Sequence, residues 1–445
     1  MKGKKKKIII SVILIIVALV AGFYPVVVKK VTSESNISTS DTFKVYLLSD
    51  DKPSFDLLTR FKNLFMDIKV EEVIFDNQEE LYTRMSSDAL AGEGPDIIFG
   101  NGASLKRVTK LVDSGVFLDL NPIMDQDDTF FIEDYNKEIM DVGVYDNKRL
   151  FVPINYNVSS IITTKGVLDY CGIEGLDGDE NLEEIIKASS NYLNNKSNEN
   201  ERVFSESITS FTDFLDSCGI EAIDYRGKKA DFSNEKVIEL METYKNIYLR
   251  NNGLKQDAEL TYQEQIENQN NKFLDKKVIF SYFPIGASYR HFDYSAVKSI
   301  MKEDPIVFPL YNNGTAKIGT FMAINSNTKN VEGAYKFLRL ALSYEAQMGS
   351  SYGGIAVNKR AYIKSFEGDK NLIGRTYDKI KVVGLPAELE KAADSASTSF
   401  DRVVLEDITI DDFINEEIKL YIEGKKTAKT AAADMQNKIT LYLNE

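Results

Sequence analysis

Between Phe43 and Gly115 the chain alternates segments of two different hydrophobic periods, and that alternation constrains the fold more than any other feature of the sequence. Phe43–Leu48 (FKVYLL) reads as a strand, and the helix after it carries apolar residues at Phe55, Leu58, Phe61 and Phe65. Ile68–Phe75 is a second strand. Asn77, with Glu80 three residues on, has the form of a capping box opening a helix whose face is Leu81, Met85 and Ala89. Glu93-Gly94-Pro95 then turns into a short third strand, Asp96–Phe99. Gly100 to Ser104 leads into a further helix with Leu105, Val108 and Leu111 on one side and Gly115 beyond its end. Strand, helix, strand, helix, strand, helix predicts an α/β fold on a mostly parallel sheet. Ligands of such sheets bind at the carboxyl ends of the strands, which singles out Asp51, Asn101 and Ser104. Gly100 and Gly102 could equally do no more than shape a tight turn, with Ser104 capping the next helix.

The segment before this body fixes where it works. Lys2 and the run Lys4 to Lys7 precede Ile8–Val28, an apolar stretch without a single charge. As a helix it would span roughly 30 Å, about one hydrocarbon core, and the lysines favour the cytoplasmic side. The run therefore suits a retained membrane anchor with the body exported. A cleaved signal peptide is the alternative, because Val20-Ala21-Gly22 offers small residues to a peptidase. Residues 31–42 (VTSESNISTSDT between Val31 and Thr42) read as a polar tether.

Up to Lys30 the chain holds seven of its 54 basic residues and no acid, which leaves 47 against 68 beyond that point, a net of −21. A body this acidic repels phosphate backbones, so nucleic acid is not an expected partner. About 415 residues suffice for two core-bearing lobes. The two cysteines, Cys171 and Cys218, each open the same tetrapeptide, Cys-Gly-Ile-Glu, after an amphipathic run. Helix ends in which Gly172 and Gly219 supply the left-handed residue explain this better than a disulfide between them.

Further along, Lys148–Ile162 (KRLFVPINYNVSSII) is apolar enough for strands yet contains Asn155, Tyr156 and Asn157, as a chain crossing between lobes would. Helical patterns follow, one from Asn234 to Tyr248 capped by Asn234 or Ser233. Lys277–Phe283 returns to strand, placing Tyr282, Ser288 and Tyr289 at or after its end. Thr328–Leu342 has Val331, Ala334, Tyr335, Leu338 and Ala341 at helical spacing. Near the end, Phe413, Ile414, Ile418 and Tyr421 form a face, Gly424 stops that helix and Thr427 caps the next.

Catalysis finds few tools here. His291 is the sole histidine and has no nucleophile-elbow context, so a surface or interface position is expected of it. No His/Cys cluster suits zinc. Asp177-Gly178-Asp179-Glu180-Asn181 begins like a calcium loop, but Leu182 and Ala188 stand where glycine and glutamate are needed. Gly92-Glu93-Gly94 lacks the end of a P-loop. No cofactor, no metal and no enzymatic activity are expected, although two of the many carboxylates could serve a glycosidase.

Taken in order, several segments resemble the family 1 extracellular solute-binding proteins, the substrate receptors of ABC importers that include the maltodextrin-binding type. Gly94-Pro95-Asp96-Ile97-Ile98 is similar to the family's Pro-Asp-apolar strand, Leu111–Pro122 (LVDSGVFLDLNP) to its helix, glycine and Leu-Asp-Leu-x-Pro turn, and Val144–Pro153 (VYDNKRLFVP) to its hairpin before the hinge. Lys317–Phe337 resembles the stretch ending in Ala-Trp-x-Phe, with Tyr335 in the aromatic place. Gly354-Ile355-Ala356-Val357 resembles Gly-x-Pro-Val with Ala356 replacing proline, and Phe413–Glu445 resembles the closing helices.

The resemblance implies a periplasmic-binding-protein-like type II fold: two α/β lobes joined by hinge segments, with a ligand between them. On that pattern residues 1–30 are the anchor or signal, 43–157 the first part of lobe I, 158–313 lobe II, 314–357 a return to lobe I, and 358–445 a helical part mainly of lobe II. It implies a monomer on the extracellular face of the membrane, a mono- or oligosaccharide as ligand and ABC permease subunits as partners. A lipidated cysteine, usual in Gram-positive members, is missing, as is any tryptophan to stack on a sugar ring. Tyr156 and Tyr289 are the expected stacking rings. Tyr352, before Gly353-Gly354, completes the expected ligand set of Asp51, Asn101, Ser104, Asn155, Tyr156, Tyr282, Ser288 and Tyr289, each of which could instead cap or pack.

Overall fold

A computed structural model describes residues 42–101, 104–158, 160–178, 180–194, 202–204, 210–252, 278–282, 290–309, 315–349, 354–377, 379–398 and 402–445. The chain divides into two compact units. One comprises the chain up to Asn155 with Gly319–Ala361, and the other comprises Tyr156–Ile318 with Tyr362–Glu445.

In the first unit the alternating pattern becomes β1 (Thr42–Leu48), α1 (Lys52–Leu64), β2 (Lys69–Phe75), α2 (Gln78–Leu90) and β3 (Ile97–Asn101). β1 and β2 pair in parallel from Thr42 opposite Lys69 to Leu48 opposite Phe75. The N–H of Asp96 donates to the Lys44 carbonyl at 2.9 Å and ties the start of β3 to β1. The sheet is less parallel than the pattern predicts. β3 pairs antiparallel with Thr320–Ile324, which also pairs antiparallel with Val152–Pro153. Local alternation sets the sense only of strands joined by its own helices, whereas Thr320–Ile324 returns from far along the chain after the whole first pass through the second unit.

Inward residues of these elements make one aromatic core. Phe43, Phe61 and Phe337 lie with ring centroids 5.0–5.4 Å apart. α1 buries Leu57, Leu58 and Phe61, while Phe55 and Phe65 are half-buried at the edges of that face. Gly100 is required by its neighbour, since a Cβ there would lie 2.9 Å from Leu105 Cδ2. The helix after β3 starts only at Val108, behind Arg107 in the left-handed region, so Ser104 is not its cap. Asn77 does cap α2, accepting from the Glu80 N–H at 3.0 Å.

The second unit contains a four-stranded sheet in the order Pro305–Pro309, Ser160–Thr164, Val278–Tyr282, Arg202–Phe204. The first two pairings are antiparallel and the last is parallel. Phe211, Phe214, Met241, Phe280 and Phe308 pack with Ile414, Ile418, Met435 and Ile439 from the two C-terminal helices in one buried cluster. Gly424 ends the first of those helices with φ 73°, and Thr427 caps the second through the Thr430 N–H. Asn234 likewise accepts from the Val237 N–H at 2.9 Å.

Neither cysteine is in a disulfide, and both are buried. Each precedes a left-handed glycine in the same helix-ending turn: Ile173 N–H returns to Leu168 O and Ile220 N–H to Leu215 O, both at 2.9 Å. The calcium-like stretch instead supplies Asn181, whose side chain forms a reciprocal capping box with Glu184. His291 corrects its expected surface placement: it is 1% exposed, with Nδ1 2.5 Å from Asp369 Oδ2. A histidine flanked by Arg290 and Asp293 reads as exposed in sequence, but it begins a helix whose inner face meets a buried carboxylate.

Candidate functional site

Asp51 and Ser104, at strand ends of the first unit, are linked through residues of α2. Asp51 ends the loop after β1 and caps α1. Its Oδ1 accepts the Ser54 N–H at 3.3 Å and its Oδ2 the Ser54 hydroxyl at 2.5 Å. Asn101 closes β3, and its carbonyl accepts the N–H groups of Ser104 at 2.9 Å and Leu105 at 2.8 Å. That turn presents the Ser104 hydroxyl to Gln78, whose Nε2 donates to it at 3.1 Å. One turn along α2 stands Tyr82, 8% exposed. Burial pushes its hydroxyl above the ordinary tyrosine value, the Gln78 amide opposes this, and the Asp51 carboxylate adds to it.

Ser104, Gln78, Tyr82 and Asp51 therefore form one polar row across the carboxyl ends of β1 and β3 and the amino end of α2. It offers hydroxyls, an amide and a carboxylate that is already engaged by Ser54. Gln78 and Tyr82 carried a signal in the sequence. They open the helix that follows the second strand, so the strand-end rule, applied to β2 as well as to β1 and β3, selects them.

Asn155 and Tyr156 are placed differently from the expectation of a polar crossing open to ligand. Asn155 is 3% exposed and fastens backbone: its carbonyl accepts Gly319 N–H at 3.0 Å and its Oδ1 accepts Thr320 N–H at 2.9 Å. Tyr156, in the second unit, is 1% exposed and donates its hydroxyl to the Ser397 carbonyl at 2.5 Å. A ring buried in this way presents no face for stacking, which corrects the role expected of it. The polar atoms in this apolar run satisfy buried backbone instead. Tyr282 ends its strand opposite Ile161. Ser288, Tyr289 and Tyr352 lie outside the described residues.

Among the described residues no group of three or more His, Cys, Asp or Glu could hold a metal ion. No helix among them is long and apolar enough to cross a membrane, and Ile8–Val28 lies outside them.

A family model described as bacterial extracellular solute-binding protein matches residues 41–348. Similar solved structures include an ABC substrate-binding protein of Listeria monocytogenes in complex with cycloalternan, at 15% identity, covering 91% of this chain and 99% of that one with a TM-score of 0.59. The GacH receptor of Streptomyces glaucescens, solved unliganded and with acarbose, is 14% identical over 90% of this chain and 98% of its own, with a TM-score of 0.59. A solute-binding protein of Thermotoga lettingae bound to α-D-tagatose is 14% identical over 91% of this chain and 100% of its own, with a TM-score of 0.58. At these identities the likeness is one of fold. No curated protein matches the chain by sequence.

Proposed function

Because the chain belongs to the bacterial extracellular solute-binding proteins, we propose that it is a receptor for a mono- or oligosaccharide, which it delivers to the permease subunits of an ABC importer. The observation that carries this reading is the row Ser104–Gln78–Tyr82–Asp51 at the strand ends of the first unit. Its neutral hydrogen-bonding groups suit the hydroxyls of a sugar, and Tyr82 adds an apolar ring edge. The cycloalternan, acarbose and tagatose complexes of structurally similar proteins support the same ligand class. Tyr289, on the second unit, is the proposed stacking ring, with Tyr282, Ser288 and Tyr352 as further contacts. A ligand that binds one arrangement of the two units better than another would shift the protein towards it and so signal occupancy to the permease.

A thermal-shift screen of mono- and oligosaccharides, amino acids and polyamines tests the ligand class. A sugar at about 100 times its dissociation constant should add about 2.7 kcal/mol of stability. Gln78→Ala and Tyr82→Phe should each weaken that sugar by about 0.5–1.5 kcal/mol, read as a higher dissociation constant by calorimetry. A shift from amino acids or polyamines alone would overturn the carbohydrate assignment, and both variants binding like wild type would remove the row while leaving the family untouched.

Ile8–Val28 favours a second reading, a membrane-tethered sensor of the same ligand. Full-length protein should then sediment with membranes and resist carbonate extraction. A mature N-terminus near Phe23 would show a cleaved leader instead.

A further inference from the structure

Lys317 lies on the strand Thr315–Ile318, where the chain's first pass through the second unit ends. Its ammonium meets Asp213, Glu406 Oε1 at 2.6 Å and Asp216 Oδ2 at 3.6 Å. Arg402, on the parallel partner strand, holds Asp216 Oδ1 at 2.9 Å and Glu221 Oε1 at 3.3 Å. Against this corner comes the first turn of the helix Ile408–Ile422. Asp407 is its N-cap, accepting from the Thr409 N–H at 3.0 Å and from the Tyr442 hydroxyl at 2.9 Å. Asp411 follows one turn later and accepts the Thr212 hydroxyl at 3.1 Å. The Tyr225 hydroxyl lies within the field of Asp411, Glu406, Asp407 and Asp216.

Among the described residues, four carboxylates of this corner, Asp213, Asp216, Glu221 and Glu406, pair with the cations Lys317 and Arg402, and Asp411 has neither of them as an ion-pair partner. Burial first, and then Glu406, push the Asp411 carboxyl up to about 7; burial pushes Asp216 to about 6 against the pull of Arg402.

We propose that Asp411 is a proton-binding switch for this corner of the second unit, neutral in mildly acidic surroundings, where the unit is tightest, and ionised as the medium turns alkaline, when the base of the Lys317 strand loosens. The charge arrangement gives the direction: an added negative charge on Asp411 faces Glu406 and Asp407, and Lys317, the cation that attracts it, is already shared by Asp213, Asp216 and Glu406. A carboxyl raised in the folded state contributes stability that is fully present below its unfolded value of about 4 and is lost as pH rises through about 7. Carboxyls held low, such as Asp127 and Asp141, act in the opposite sense and only below the ordinary carboxylate range. Asp216 and Asp293, both raised to about 6, share the sign of Asp411, so variants are needed to isolate it.

The test is the melting midpoint of the full-length chain between about pH 5 and pH 8.5. Wild type should fall by several degrees up to about pH 7.5 and then level. Asp411→Asn, an amide in place of the neutral acid, should fall less and melt above wild type at about pH 8. Thr212→Val removes the hydroxyl that favours the ionised form, so its fall should move to higher pH. The neighbouring variant Asp412→Asn should follow wild type. A wild-type profile in Asp411→Asn, or, if that variant does not fold, an unmoved profile in Thr212→Val, would overturn the proposal.

Discussion

Asp127→Ala should lower the stability of the first unit by about 3–5 kcal/mol, because it leaves a buried arginine without its counter-ion. Asp127 is 7% exposed, and its Oδ2 accepts from Arg339 Nε at 2.8 Å and from the Tyr335 hydroxyl at 2.9 Å. Its Oδ1 accepts the Thr129 N–H at 3.0 Å. Arg339 in turn donates to the Thr129 carbonyl at 3.1 Å and lies over the Phe130 ring, 4.9 Å from its centroid. Burial alone would raise the Asp127 carboxyl, but the bonds from Thr129 and Arg339 outweigh it and hold it below the ordinary value. Its contribution is therefore present above the unfolded carboxylate value and is lost as pH falls through the depressed one. Denaturant unfolding followed by circular dichroism, at neutral pH, would read the loss. A change of less than about 1 kcal/mol, within the range of an ordinary surface substitution or a weak pair, would mean that the network is not the brace it looks like.

The same unit shows what sequence periodicity can and cannot report. The alternation from Phe43 onward yields strands and helices in the right order because each helix must hide one stripe and each strand one face, and those requirements are local. Nothing local announces that Thr320–Ile324 will lie antiparallel between β3 and Val152–Pro153. The cap and stop residues Asn77, Asn234, Gly424 and Thr427 are legible for the same reason, since each satisfies backbone groups close to itself in the chain.

Polar residues inside apolar runs are the harder reading. Asn155 and Tyr156 have the composition of a ligand-facing strand, yet a carboxamide that fastens Thr320 and a hydroxyl that satisfies Ser397 need the same residue types. His291 misleads likewise, because its partner Asp369 is 78 residues away. At the strand ends, position groups residues that composition alone does not. Asp51 and Ser104 are selected by where they stand, and Gln78 and Tyr82 obey that rule as well, although the apolar stripe of α2 draws attention to Leu81 instead.

Phe214→Ala is the counterpart in the second unit, with an expected loss of about 3–5 kcal/mol. Phe214 is fully buried, 6.3 Å from the Phe211 ring and 5.3 Å from Tyr244, in the cluster that also receives the C-terminal helices. Removing the ring takes away its transfer free energy and leaves a cavity that the two flanking aromatics, fixed on separate helices, can only partly close. Phe214→Leu keeps most of the volume and should cost less than about 1.5 kcal/mol. The pair also separates folding from recognition. If the strand-end row of the first unit holds the sugar, a saturating sugar should raise the stability of Phe214→Leu by the same increment as wild type, since the increment depends on concentration over dissociation constant and not on the starting stability. An increment lost in Phe214→Leu, with the fold retained by circular dichroism, would mean that the packing of the second unit's core sets ligand affinity and that the first unit's row is at most half of the site.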